Sequence, residues 1–212
     1  MIISFKNILK LITYYIIDIF VRPSKIIKPK SLLLIRLDAI GDYILFRNFI
    51  EELKKDKKYK HYSITLLGNT AWKSLSEELD SCFVDEFIWI DRNKFTKNIF
   101  YRFKILQKLV KNGYEVLLSP IYSRELFFAD NIAKLITAKK KIASFGDCNN
   151  IKRYQKNIAD RYYDILLPAE DKLMFEFNRN KEFFENFLQK KININRPTLQ
   201  RINSQLKYQL PK

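Results

Sequence analysis

Glycine is scarce, with only Gly41, Gly68, Gly113 and Gly146 among 212 residues. That scarcity excludes a P-loop and the G-x-G-x-x-G turn of a usual dinucleotide site. Both need several glycines in one turn so that backbone amides can approach phosphates. Histidine is scarcer still: His61 stands alone, in a basic, surface-like stretch. The two cysteines, Cys82 and Cys148, form no C-x-x-C pair. A zinc site and a disulfide framework are therefore not expected, and reduced thiols are. There is no G-x-S-x-G turn, no Ser/His/Asp set and no D-x-D acid pair, so serine-hydrolase chemistry and a metal-held diphosphate are not expected either. The expected metal set is none, and so is the cofactor set.

What is abundant is apolar and basic. Hydrophobic residues make up 47% of the chain and aromatics 15%, enough for a substantial core. The net charge is +16, from 39 Lys+Arg against 23 Asp+Glu. Such a charge favours polyanions: nucleic acid, anionic lipid or phosphorylated substrates. It is also consistent with basic residues spread evenly over the surface. No nucleic-acid-reading signature gathers the basic residues, so nucleic acid is not expected as a partner.

Residues 1–22 are strongly apolar but carry Asp18 and a polar stripe of Lys6, Asn7, Lys10, Thr13, Tyr14, Asp18 and Arg22 at helical spacing. The segment is too short and too polar for a usual span. Arg22-Pro23 follows instead of a small-residue cleavage site, so no secretion signal is expected. Three readings stay open: a helix lying in the surface of an anionic membrane, a helix packed on its own domain, and, last, a true span.

Downstream, strands and helices alternate. Strands are predicted over 31–37, 63–67, 84–90, 115–119 and 141–145. Helices are predicted over 43–58, 71–79, 95–111 and 126–138. Every glycine falls at an element end, where turns need it. The alternation predicts an α/β fold with a doubly wound parallel, Rossmann-like sheet. Residues 147–163 read as a polar loop, 165–167 as a short strand, 170–190 as a long helix and 192–212 as a linker. The expected organisation is a helix and basic connector (1–30), one Rossmann-like domain (31–190) and a tail leading to a further domain (191–212).

The first strand runs into Ile35-Arg-Leu-Asp-Ala-Ile-Gly-Asp42. A strand ending in this way before an apolar helix resembles the opening of family 9 glycosyltransferases, the ADP-heptose:lipopolysaccharide heptosyltransferase family. Gly68-Asn69, Val84-Asp-Glu-Phe-Ile88, Tyr114-Glu-Val-Leu-Leu118 and the stretch Ala138 to Gly146 are similar to that family in the same order. The resemblance runs from about Ser31 to Leu199 and covers the acceptor-side half only.

It implies one half of a two-domain GT-B enzyme that transfers a sugar with inversion and without metal. The donor would be a nucleotide sugar of the ADP-heptose kind, and the acceptor a phosphorylated glycolipid of lipopolysaccharide or surface-glycan assembly. Asp42 takes the role of general base on the acceptor hydroxyl; a cap on the helix is its plainer role. A helix N-terminus would favour its ionised form. Gly41, Ser123 and Arg124 are expected to line the acceptor, Arg124 as a phosphate contact, with Lys152 and Arg153 as further phosphate candidates. Asp38 is expected to tie the turn together. Cytoplasmic location, peripheral on the inner membrane, and a separate C-terminal domain or chain as partner complete the expectation. The alternative is a non-catalytic, membrane-associated binding protein or subunit derived from such an enzyme.

Overall fold

The computed structural model describes residues 5–199, and side chains from residue 13 onward. Six parallel strands form one sheet in the order β3-β2-β1-β4-β5-β6. They are β1 (Ile27–Arg36), β2 (Ser63–Asn69), β3 (Glu86–Ile90), β4 (Gly113–Ser119), β5 (Ala138–Ser144) and β6 (Ile165–Leu167). The helices are α1 (Phe5–Phe20), α2 (Ile40–Phe46), α3 (Asn48–Lys55), α4 (Lys73–Leu79), α5 (Arg92–Lys97), α6 (Ile99–Leu109), α7 (Asn131–Leu135), α8 (Arg153–Asp160) and α9 (Glu176–Leu188). This is the Rossmann-like α/β architecture expected from the alternation of elements.

The chain lays β1, β2 and β3 outward in one direction. It then returns to place β4 on the other side of β1. The order therefore reverses between β1 and β4, and the crevice at their carboxyl ends is the place where such sheets bind ligands. Apolar side chains of each central strand alternate between two cores. Leu33, Ile35 and Leu117 pack on one face with α1 and α6. Leu32, Leu34 and Leu118 pack on the other with α2, α3 and α9.

Several boundaries differ from expectation, each for a local reason. β1 begins at Ile27, through Pro29, because Lys30 adopts a left-handed φ of 48° and the ladder shifts register between Lys28 and Leu32. A bulge of this kind tolerates the proline. The helix expected over 95–111 is broken at Asn98, whose side chain accepts from the Tyr101 amide and starts a new helix. The expected loop over 147–163 contains α8, Arg153–Asp160. The long helix begins six residues late, at Glu176. Residues 192–199 do not lead away from the domain. Thr198 accepts from Arg47 Nη1 at 2.5 Å and donates its amide to Asn48 at 2.9 Å. Residues 1–4 and 200–212, the ends of the expected helix and linker, lie outside the described residues.

α1 packs on the domain. Tyr14, Ile17 and Val21 are buried in the core, and the Tyr14 hydroxyl donates to the Thr96 carbonyl at 2.8 Å. Among the described residues, no helix is long and apolar enough to cross a membrane.

Gly68 shows why β2 carries a glycine. A Cβ there would stand 2.4 Å from the Trp72 ring and 2.5 Å from the Trp89 ring. Gly68→Ala is expected to destabilise the fold by about 1–3 kcal/mol through overpacking. The check is a urea midpoint; a loss below about half a kcal/mol would mean the indoles move aside freely.

Candidate functional site at the sheet switch point

Two loops flank the crevice. The loop after β1 carries Asp38 and runs into the first turn of α2 with Gly41 and Asp42; the loop after β4 carries Tyr122, Ser123, Arg124 and Glu125. The four residues expected from the sequence to form a site (Gly41, Asp42, Ser123 and Arg124) are thus brought to the two loops at the reversal point.

Arg36 ends β1 and anchors the first loop from beneath. Its guanidinium is buried and reaches Asp38 at 2.9 Å, Glu176 at 2.9 Å and the Asn180 side chain at 2.9 Å. It also lies 5.1 Å from the centre of the Phe46 ring. Burial works against its charge, but Asp38, Glu176 and, further off, Asp42 more than restore it, so its pKa is raised. The Asp38 carboxyl is also pushed up. Burial is the larger cause, partly offset by Arg36, and Asp42, Glu176 and Glu125 add repulsion. Four carboxylates therefore share one electrostatic neighbourhood at this edge.

Asp42 sits in the first turn of α2, half-buried, and accepts from the Ala39 amide at 3.3 Å. That bond is long, and the capping contribution is correspondingly small. Gly41 is exposed, and a Cβ built on it meets nothing within 4 Å. Its φ is not in the left-handed region. Nothing inside the chain requires a glycine here, although glycine in a helix costs up to about 1 kcal/mol against alanine.

Ser123 is half-buried and donates to Asp147 at 3.0 Å, while its carbonyl accepts from Asn150. Arg124 does not present the open guanidinium expected of a phosphate contact. It is 0% exposed, hydrogen-bonded to Asp160 and 3.5 Å from Asp130. Tyr163 donates to the same Asp130 at 2.7 Å. The buried Asp130 needs a cation, and Arg124 supplies it while also meeting the part-buried Asp160, which Lys156 pairs as well. Burial lowers the Arg124 pKa, but Asp130, Tyr163 and Asp160 outweigh it and the pKa is raised. Gly146, at φ 68°, makes room for this, since a Cβ there would strike the Tyr122 carbonyl. Lys152 and Arg153 are exposed at the start of α8. His61 is exposed on the loop before β2, at the opposite edge of the sheet.

α9 is the contributor that the sequence did not reveal. Glu176 and Asn180 hold Arg36, and Arg179 lies 3.9 Å over the Tyr122 ring. Their i, i+3, i+4 spacing on one helix face was the available signal. To one side, Arg92 pairs with Glu125 at 2.6 Å. Beyond that pair, Tyr14, Thr96, Glu125, Phe127, Asn150 and Gln155 border an opening of about 170 Å³.

Replacing Arg36 by Met should leave Asp38 and Glu176 facing each other without a cation and cost about 3–5 kcal/mol in chemical denaturation. Glu176→Gln, at a carboxylate that is 31% exposed, should cost about 1 kcal/mol or less. Equal losses would show that Arg36 is not the centre of the cluster.

No protein-family model and no curated protein matches the sequence. Solved structures do match the fold. Two of them are E. coli heptosyltransferase WaaC with ADP and the same enzyme with ADP-2-deoxy-2-fluoro heptose. Each has a TM-score of 0.62 and 11% sequence identity, covering 80% of this chain and 51% of that chain. The chain therefore shares the fold of these enzymes and spans about half their length.

Proposed function

We propose that this chain is the acceptor-side half of an inverting, metal-independent glycosyltransferase, with Asp42 as the general base. The observation that carries this reading is the pairing of Asp42 with Gly41. A carboxylate stands at the switch point of the sheet, beside a glycine that no intrachain contact explains. Open backbone next to a base is what a close-lying sugar hydroxyl needs.

In the reaction, Asp42 takes the proton from an acceptor hydroxyl as its oxygen forms a bond to the donor's anomeric carbon. The bond from that carbon to the diphosphate breaks, and the nucleoside diphosphate leaves with the electron pair. A carboxylate within about 3 Å of the hydroxyl can perform this transfer. Asp38 and Arg36 act as positioning residues that fix the loop. Ser123 borders the acceptor from the other loop, and Arg124 holds that loop in place from inside.

The groups displayed at the crevice are carboxylates and backbone, which suit hydroxyls better than phosphates. A phosphate on a glycolipid acceptor would be met further out, by Lys152 and Arg153. The donor is proposed to be a nucleotide sugar of the ADP-heptose kind, held mainly by a second domain or chain. The ligands held by the matched WaaC structures support that choice. A lipopolysaccharide or related surface glycan as product and a cytoplasmic, membrane-peripheral location belong to the same proposal.

Asp42→Asn in the complete two-domain enzyme should lower kcat by about 100-fold or more while thermal unfolding stays unchanged. Transfer at the wild-type rate would leave the non-catalytic, subunit reading in its place. Gly41→Ala should leave stability equal or raise it by up to about 1 kcal/mol, yet weaken acceptor use. Calorimetric titration of this chain with ADP should show no micromolar binding. Such binding would place a donor site in this half and overturn the division proposed.

A further inference from the structure

Tyr14 and Asp18 of the polar stripe of α1 face inward. Tyr14 is buried under the Arg102 guanidinium at 3.9 Å from the ring centre, and Asp18 accepts from Asn131 at 2.7 Å. With Ile17 and Val21 also buried, the helix turns Tyr15, Ile16, Ile19 and Phe20 to the outside. Ile19 and Phe20 are 62% and 65% exposed. A helix already docked by one face has no intrachain reason to carry a second apolar one.

That face does not end with α1. Lys134 of α7 lies 5.9 Å over the Tyr15 ring on one side. On the other, Gln107 of α6 donates to the Phe20 carbonyl at 3.0 Å. Phe103 stands one turn from Gln107 and Phe100 one further turn on, both exposed, Phe100 at 83%. Two neighbouring helices, joined through Gln107 and Phe20, thus both turn aromatic and aliphatic side chains outward, and neighbouring exposed apolar groups of this kind mark interaction surfaces.

Its rim is cationic. Lys104, Lys108 and Lys111 run along α6 and past its end, Arg22 and Lys25 lie at the foot of α1, and all five are exposed. α6 contains no acidic residue, and the one acid of α1, Asp18, is turned inward to Asn131 and Lys134. Aromatic and aliphatic side chains bordered by lysines match the interface of an anionic bilayer, where rings sit at headgroup depth and the rim meets lipid phosphates. An apolar protein partner would leave those lysines without counter-charge.

We propose that the outward faces of α1 and α6 together form a docking surface for an anionic lipid bilayer. This does not depend on the transfer reaction. It also places the crevice beside the membrane: α1 runs antiparallel to the strands, from Tyr14 at the carboxyl-edge loops to Ser24, whose amide donates to Val110 at the opposite edge.

The test uses the full chain with two kinds of vesicle, phosphatidylcholine alone and phosphatidylcholine mixed with phosphatidylglycerol. Sedimentation should show binding to the mixed vesicles, much weaker binding to the neutral ones, and weakening with added salt. Ile19→Glu on α1 and Phe100→Glu on α6 should each reduce binding by about tenfold or more. Thermal unfolding should stay unchanged, because both side chains are exposed. Leu173→Glu, exposed at the far side, should bind as wild type. Absence of binding to the mixed vesicles, or undiminished binding by Phe100→Glu, overturns the proposal. So does a dimer in sedimentation velocity that Ile19→Glu and Phe100→Glu dissolve, which would make a second copy the occupant.

Discussion

Buried guanidinium groups hold this fold in register. Arg36, Arg47, Arg102 and Arg124 are among the largest fully buried side chains, and each joins elements that the sheet does not join. Arg36 ties β1 to α9. Arg47 ties the α2–α3 junction to Asp80 at 2.8 Å and to the returning tail. Arg102 bonds Asn131 and the Phe127 carbonyl and is stacked between the Tyr14 and Phe95 rings. Arg124 joins the loop after β4 to Asp130 and Asp160. An ion buried without partners would cost several kcal/mol, so each position is strongly specified even where the net gain in stability is small. Arg102 is the extreme case: with no carboxylate in direct contact, burial pulls its pKa down to about 10. Two aromatic faces and an asparagine that reaches Asp18 compensate in part.

This constraint shapes the crevice. Because Arg36 faces inward, the carboxylates around it are arranged by a cation that is itself buried from solvent. Asp38 is drawn down onto Arg36 and removed from the list of open acids. Asp42, one turn along, stays at the mouth. The same logic withdraws Arg124 from the surface. The loop after β4 then offers Ser123 and its backbone, and its geometry is set from within by charges that do not depend on a bound ligand.

Much of the fold was legible from local signals. Apolar runs marked five strands and a sixth short one, and four glycines marked turns. The motif Ile35 to Asp42 lies at the carboxyl edge of the sheet, because a strand carboxyl end followed by a helix can only lie there. The rest depends on partners far apart in sequence. Periodicity counts arginine as a surface residue, yet Arg36 meets Asn180 across 144 positions and Arg47 meets Thr198 across 151. The inward orientation of α1 was hidden for the same reason. Tyr14 and Asp18 look like a solvent stripe until Arg102 and Asn131, more than 80 residues away, turn that stripe into the buried side. α8 was hidden by its polarity, since most of its side chains face water and the apolar stripe is thin.

The distribution of charge makes a division of labour physically reasonable. The chain is strongly basic overall, yet Asp38, Asp42 and Glu176 lie at its crevice around the buried Arg36, and Glu125 nearby is paired with Arg92. In the proposed reading, Asp42 at that edge disfavours a pyrophosphate and offers a neutral hydroxyl an acceptor for its proton. Apart from Arg36, Arg92 and Arg179 at the crevice, exposed cations lie along α6, at the foot of α1 and at the start of α8. The proposed lipid-facing surface and the proposed hydroxyl-binding edge would together suit an acceptor delivered from a membrane, with the nucleotide diphosphate held elsewhere. On this argument the overall charge of +16 is not a general affinity for polyanions. In the proposed reading, the basic residues along α6 and at the foot of α1 meet lipid, while Asp42 at the crevice takes up the proton.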